Sequence, residues 1–139
     1  TMTSDLEKRR PVLTAAQILE LQEIVRHVLV GRHVSTYAVR LVRASRPGDE
    51  LAPDFIKRWL TWGASPRASQ YLLLAGRART ILDGRLNVSC EDIRAVAHPV
   101  LRHRVGTSFT AESEGVSVEQ VLNRLIEEVP EPTPKRSER

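Results

Sequence analysis

The chain has 139 residues, enough for one domain with a core of its own, and 41% apolar with 27% charged residues marks it as neither disordered nor fibrous. Aromatics contribute only 4%, so Leu, Val, Ile and Ala must build the core, which favours helices over a sandwich or barrel. The net charge of +4 is mostly arginine, but acidic residues are interspersed and no segment forms a dense basic run, so the surface reads as mixed and solvated.

Residues 1–12 are polar and charged and close at Pro11. They read as a flexible lead-in, or a cloning remnant where Thr1 precedes Met2, and not as a secretion signal. Thr14 and Gln17 then fit a capping box, with Ile18, Leu21, Ile24, Val25 and Val28 following at helical spacing, which predicts a helix to about His27. Val28 to Arg32 is a connector broken at Gly31. A second helix is predicted over Val34 to Ser45, with Val34, Tyr37, Ala38, Leu41 and Val42 facing inward and Pro47-Gly48 as its stop. Arg40, Arg43 and Arg46 fall on or near its other side. Pro53 opens a shorter helix, Asp54 to Trp62, ended by Gly63, in which Trp59 and Trp62 read as core side chains.

The clearest helix begins with Ser65 as N-cap and Pro66 at the first helical position, where a missing N–H costs nothing. Ala68, Tyr71, Leu72, Ala75, Ala78 and Leu82 form its stripe, and Gly84 ends it in the left-handed turn. Arg77, Arg79 and Arg85 read as a solvated face, Asp83 and Asn87 as turn residues. After a short extended piece, Leu86 to Val88, a second capping box pairs Ser89 with Asp92 and opens a helix carrying Ile93, Val96, Ala97 and Leu101, which Pro99 is expected to kink or split. Cys90 is the sole cysteine, so no disulfide framework exists within the chain and the cytoplasm is the natural compartment. Val105 to Ser117 is least regular, with a helical turn over Thr110 to Glu114. Ser117 and Gln120 make a third capping box before a final helix faced by Val118, Val121, Leu122, Leu125, Ile126 and Val129. Residues 130–139 are Pro-rich and charged, a disordered tail. The expected architecture is all-α: a small helical bundle of five or six helices over residues 13–129. There is no repeat, no β-hairpin signal and nothing near the about 18 apolar residues of a membrane span.

Several chemistries are excluded. The chain holds no G-x-x-x-x-G-K-[ST] loop, no G-x-S-x-G elbow and no H-E-x-x-H helix. His27, His33, His98, His103 and Cys90 lack metal-ligand spacing, so no metal site is expected. The segment Gly63-Ala64-Ser65-Pro66-Arg67-Ala68 is different, because it puts Arg67 in the first turn of a helix. A cation there is disfavoured by about 0.3–1 kcal/mol against the helix dipole, yet a guanidinium beside free amides makes a strong anion site. The alternative is a surface arginine folded onto Asp54 or Glu50. Electrostatics alone leaves both open.

The run Trp62-Gly63-Ala64-Ser65-Pro66-Arg67-Ala68 resembles the sensor 2 segment of MoxR-family AAA+ ATPases. The likeness continues in register through Tyr37-Ala38-Val39-Arg40-Leu41-Val42-Arg43-Ala44, through Leu73 to Asp83, through Asn87-Val88-Ser89-Cys90-Glu91-Asp92-Ile93 and through Ala95 to Val105. It covers residues 13–128, and the combination is far more specific than any one piece. The resemblance implies a C-terminal helical lid of AAA+ type whose Arg67 reaches the γ-phosphate of ATP held by a separate large domain, with Ser65 and Pro66 in the same nucleotide-facing segment. It further implies ATP with magnesium in the full-length protein and no cofactor on this chain alone, which is part of an ATP-hydrolysing enzyme but inactive by itself. The implied partners are the protein's own N-terminal AAA+ domain and neighbouring subunits of a ring, a hexamer, with a von Willebrand A-domain protein as a further partner. The implied role is chaperone-like or in cofactor maturation. The sequence departs from the family at Cys90 and His98, where many relatives carry proline; neither position is assigned a role. The competing reading is a stand-alone basic helical module binding DNA or a partner protein. No helix presents a recognition face of Arg, Lys, Asn and Gln, so nucleic acid is not the expected partner.

Overall fold

The computed structural model describes residues 10–133. In chain order the elements are α1 (Ala15–Arg26), β1 (Leu29–Val30), α2 (Arg32–Ala44), α3 (Asp54–Trp59), β2 (Leu60–Trp62), α4 (Arg67–Leu82), β3 (Asn87–Val88), α5 (Cys90–Leu101), β4 (Gly106–Thr107), α6 (Phe109–Ser113) and α7 (Val118–Glu128). The fold is the expected all-α bundle. Helix α4 is its centre, packed on α5, α2 and α1, while α7 closes the other side against α5, α2 and α3. The core is aliphatic, as the composition requires. Leu41 of α2, Ile56 of α3, Leu72 of α4, Ile93 and Leu101 of α5, and Leu122 and Leu125 of α7 are fully buried, and Tyr37 is the aromatic among them.

All three capping boxes form. The Thr14, Ser89 and Ser117 hydroxyls accept from the amides of Gln17, Asp92 and Gln120, and each of those side chains reaches back to the cap amide at 2.8–2.9 Å. Each box satisfies two amides that a helix start leaves free, so these boundaries are decided locally. Gly84 takes a φ of 70°, which lets the Arg85 amide bond back to the Thr80 carbonyl at 2.9 Å and end α4 where expected.

Long-range pairing decides several of the remaining boundaries. The third helix stops at Trp59, three residues early, because Leu60 turns extended and pairs with Thr107 in an antiparallel β2–β4 ribbon. Trp62 therefore lies against Gly106 and stays 60% exposed, whereas Trp59 packs against Phe55 and donates its Nε1–H to Glu114 at 2.8 Å. The core expectation holds for Trp59 and not for Trp62. Strands β1 and β3 pair in parallel, Leu29 with Asn87 and Val30 with Val88. A seventh helix appears where one turn was expected, since Ser108 caps Phe109–Ser113 by accepting from the Ala111 amide. Pro99 does not split α5; it sits in the last turn, where it forfeits one bond to a carbonyl while the helix continues to Leu101.

Helix α1 departs furthest. Its cap and length are as predicted, but none of its residues is buried: Ile18, Leu21 and Ile24 stay exposed, and only Val25 is half-covered. Beyond α7, Glu131 pairs with Arg94 of α5. The remaining residues of the predicted tail, 134–139, and residues 1–9 of the lead-in lie outside the described residues.

Candidate functional site

The approach to α4 is built from the end of α2. Ser45, fully buried just beyond α2, donates its hydroxyl to the Val42 carbonyl at 2.6 Å and accepts from the Ala64 amide at 3.0 Å. The next residue, Arg46, donates from Nε to the Ala64 carbonyl at 2.7 Å. Gly63 presses against the same turn so closely that a Cβ would stand 2.2 Å from the Ser45 carbonyl oxygen, and no side chain fits. The turn itself is braced by Arg43, whose guanidinium grips both oxygens of Asp49 at 2.9 and 3.0 Å, and by the Leu51 amide on the same carboxylate.

From that anchor the chain enters α4. Pro66 already has helical angles, φ −53° and ψ −31°, as expected of the first position, and the Ser65 carbonyl accepts from the Ala68 amide at 2.9 Å. The Ser65 side chain does not cap the helix, and no other side chain among the described residues does. Ser65, Pro66 and Arg67 are all exposed. Arg67 has no carboxylate within ion-pair distance among the described residues, and Asp54 is met by Lys57 instead at 3.8 Å. The folded-back alternative for Arg67 is thus not the arrangement present. An exposed guanidinium stands beside an uncapped helix start of 16 residues.

At the far end of α4 the structure overturns the reading of Arg79 and Arg85 as a solvated face. Both converge on Asp92, whose side chain is only 2% exposed. Arg85 donates from Nη1 to Oδ2 at 2.9 Å, Arg79 Nε stands 3.3 Å from Oδ1, and the Ser89 amide and hydroxyl both donate to Oδ2 at 2.8 Å. The hydrogen bonds from Arg85 hold the Asp92 carboxyl well below the usual carboxylate range, opposed by burial and helped by Ser89. Because the folded value is depressed, the stabilisation is complete above the unfolded value of about 4 and is lost as pH falls below it. Thermal unfolding of an Asp92→Asn variant should therefore depend less on pH below about pH 4 than that of the parent chain; equal slopes in the two would refute this.

Two features escaped the sequence. Tyr71, Leu74 and Ala78 share with Arg67 one outward face of α4, at spacings of four, three and four, and line a groove with Val25 of α1 and Val100 of α5. The Arg104 guanidinium lies 4.8 Å over the Tyr71 ring at its edge. Pattern alone places Tyr71 and Ala78 in the apolar stripe of α4, and a stripe does not say which part of it finds a partner. His98, assigned no role, joins α5 to α7 through Glu119 at 2.6 Å and Asn123 at 2.7 Å, contacts with no local signature. Cys90 is buried. Among the described residues no group of three or more His, Cys, Asp or Glu could hold a metal ion, and no helix is long and apolar enough to cross a membrane.

A helical bundle whose central helix starts at Gly-Ala-Ser-Pro-Arg fits an AAA lid domain, and the family model for that domain matches residues 56–125. Chaperone MoxR1 of Mycobacterium tuberculosis is 35% identical over 120 residues, 86% of this chain and 32% of its own. Protein MoxR of Methylorubrum extorquens is 37% identical over 93 residues, 66% of this chain and 27% of its own. A crystal structure of a candidate ATPase from Cytophaga hutchinsonii superposes with a TM-score of 0.79 at 28% identity, over 85% of this chain and 36% of that one. The chain belongs to the AAA lid domains, as the lid of a MoxR-family AAA+ ATPase. It spans about a third of the length of the relatives it matches.

Proposed function

We propose that this lid delivers Arg67 to the γ-phosphate of ATP bound on the large domain of the same protein or of a ring neighbour, and so couples nucleotide state to movement of the assembly. The observation that supports the reading is the state of Arg67: exposed, without a carboxylate partner among the described residues, at the start of an uncapped helix. Two sources of positive potential, the guanidinium and the helix start, are thus held together with no carboxylate among the described residues to neutralise them, an arrangement that disfavours the isolated lid slightly and favours a phosphate strongly. Ser65 and Pro66 present that helix start, and magnesium enters with the nucleotide on the large domain.

The apolar outer face of α1, where Ile18, Leu21 and Ile24 stand exposed at spacings of three, is with the adjoining groove on α4 where the large domain packs. The assembly is a hexameric ring in the cytoplasm. It acts as a chaperone, in keeping with the name of the mycobacterial relative, or in cofactor maturation. A von Willebrand A-domain protein is its further partner.

The deciding test is ATP hydrolysis by the full-length protein carrying Arg67→Ala. Strongly reduced turnover is expected, and undiminished turnover overturns the assignment. The lid alone, which carries no phosphate-binding loop, should hydrolyse no ATP. A stand-alone DNA-binding module is separated by gel shift of the isolated chain at two salt concentrations: that reading requires a salt-sensitive shift, the lid none.

A further inference from the structure

Ala64 lies fully buried three residues before Arg67, and both its backbone polar groups are taken by side chains from the α2 terminus. Its amide is held by Ser45 and its carbonyl by Arg46. We propose that Ser45 and Arg46 are positioning residues for Arg67, forming a clamp that fixes where α4 begins and hence where its guanidinium stands; this rests on the reading of Arg67 as the phosphate-sensing group.

Four observations carry it. The Ser45 hydroxyl is used both ways, donating to Val42 and accepting from Ala64, so it cannot rotate without losing one bond. The Arg46 bond to the Ala64 carbonyl is charge-assisted, and its Nη2 is buried without a partner among the described residues, so this guanidinium is held for a backbone contact and not for an ion pair. Gly63 approaches the Ser45 carbonyl so closely that no side chain fits between, so the loop and the α2 terminus are in backbone contact. Between clamp and arginine stand only Ser65 and Pro66, and the proline ring fixes one of the backbone torsions between them, which limits how far this short link can absorb a displacement at Ala64. The Arg43–Asp49 ion pair braces the turn on which the clamp sits.

The test uses the full-length protein with Ser45→Ala, Ser45→Thr, Arg46→Met and Arg67→Ala, singly, and with Ser45→Ala and Arg46→Met each combined with Arg67→Ala. A guanidinium displaced by about 1 Å should lose tenfold or more in turnover, so Ser45→Ala and Arg46→Met are each expected to lower kcat about tenfold with ATP affinity changed less. Ser45→Thr, which keeps the hydroxyl, should restore most of it. In the Arg67→Ala background the clamp substitutions should add no further loss, since nothing remains to be positioned. Hydrogen exchange at the Ala64 amide should rise in Ser45→Ala while the Leu72 amide in mid-α4 keeps its protection. Losses of equal size in both backgrounds, or turnover unchanged in Ser45→Ala and Arg46→Met while Arg67→Ala is impaired, overturn the clamp alone. Full activity of Arg67→Ala overturns the sensing role and the clamp with it.

Discussion

Arg67→Ala in the full-length protein is expected to lower ATP turnover by about 10²–10³-fold, the usual loss when one preorganised donor to a developing oxyanion is removed. The magnitude rests on the uncapped helix start: the helix-start amides remain, so part of the electrostatic field survives, but the short-range charge that the proposed sensing role assigns to Arg67 does not. Arg67→Lys should recover only part of the loss, because an ammonium is a point charge without the planar fork of a guanidinium. The stability of the lid should hardly change in either variant, since Arg67 makes no ion pair among the described residues. Turnover and thermal unfolding measured on the same preparations check both halves, and a loss of turnover that tracked a loss of stability would assign Arg67 to the fold instead.

The second large effect belongs to Asp92. Asp92→Ala removes a carboxylate that accepts from Arg85 and from Ser89 twice, stands within ion-pair distance of Arg79, and lies 3.3 Å from the Thr80 hydroxyl. Breaking a buried pair costs about 3–5 kcal/mol, but Arg79 and Arg85 are nearly half exposed and can turn to water, so about 2–4 kcal/mol is the better expectation, including the lost capping box. That corresponds to a fall in Tm of roughly 10 °C, readable by circular dichroism of the chain. A fall under about 3 °C would show that the cluster is a surface feature in energetic terms. The α4–α5 corner depends on this carboxylate more than on any turn residue, because Asp83 only adds a second contact to Arg85 at 3.0 Å.

Most of this was legible only where cause and effect are close in sequence. Thr14 with Gln17, Ser89 with Asp92, and Ser117 with Gln120 are three residues apart, so each helix start could be read directly. Asp92 shows the limit. Its capping role was readable, but its burial was not, because Arg79 and Arg85 lie across a turn and whether they face solvent or α5 depends on how α4 and α5 pack. Trp62 departs from the core expectation for the same reason: nothing nearby announces that Leu60 will leave the helix to pair with Thr107. The Ser45 and Arg46 contacts to Ala64 span 19 and 18 residues, and an arginine on the outer side of a helix offers no sign that it will reach a buried carbonyl.

The sequence by itself determined the fold class, the three capped helix starts, the aliphatic core and the placement of Arg67 in a first helical turn, because periodicity and capping act within a few residues. Only the tertiary structure decided which charges are buried, that α1 keeps an apolar face without a partner inside the described chain, and that the α2 terminus holds the loop leading to Arg67. Those outcomes depend on segments distant in sequence competing for the same space, and burial makes each winning contact strong enough to override what local pattern would choose.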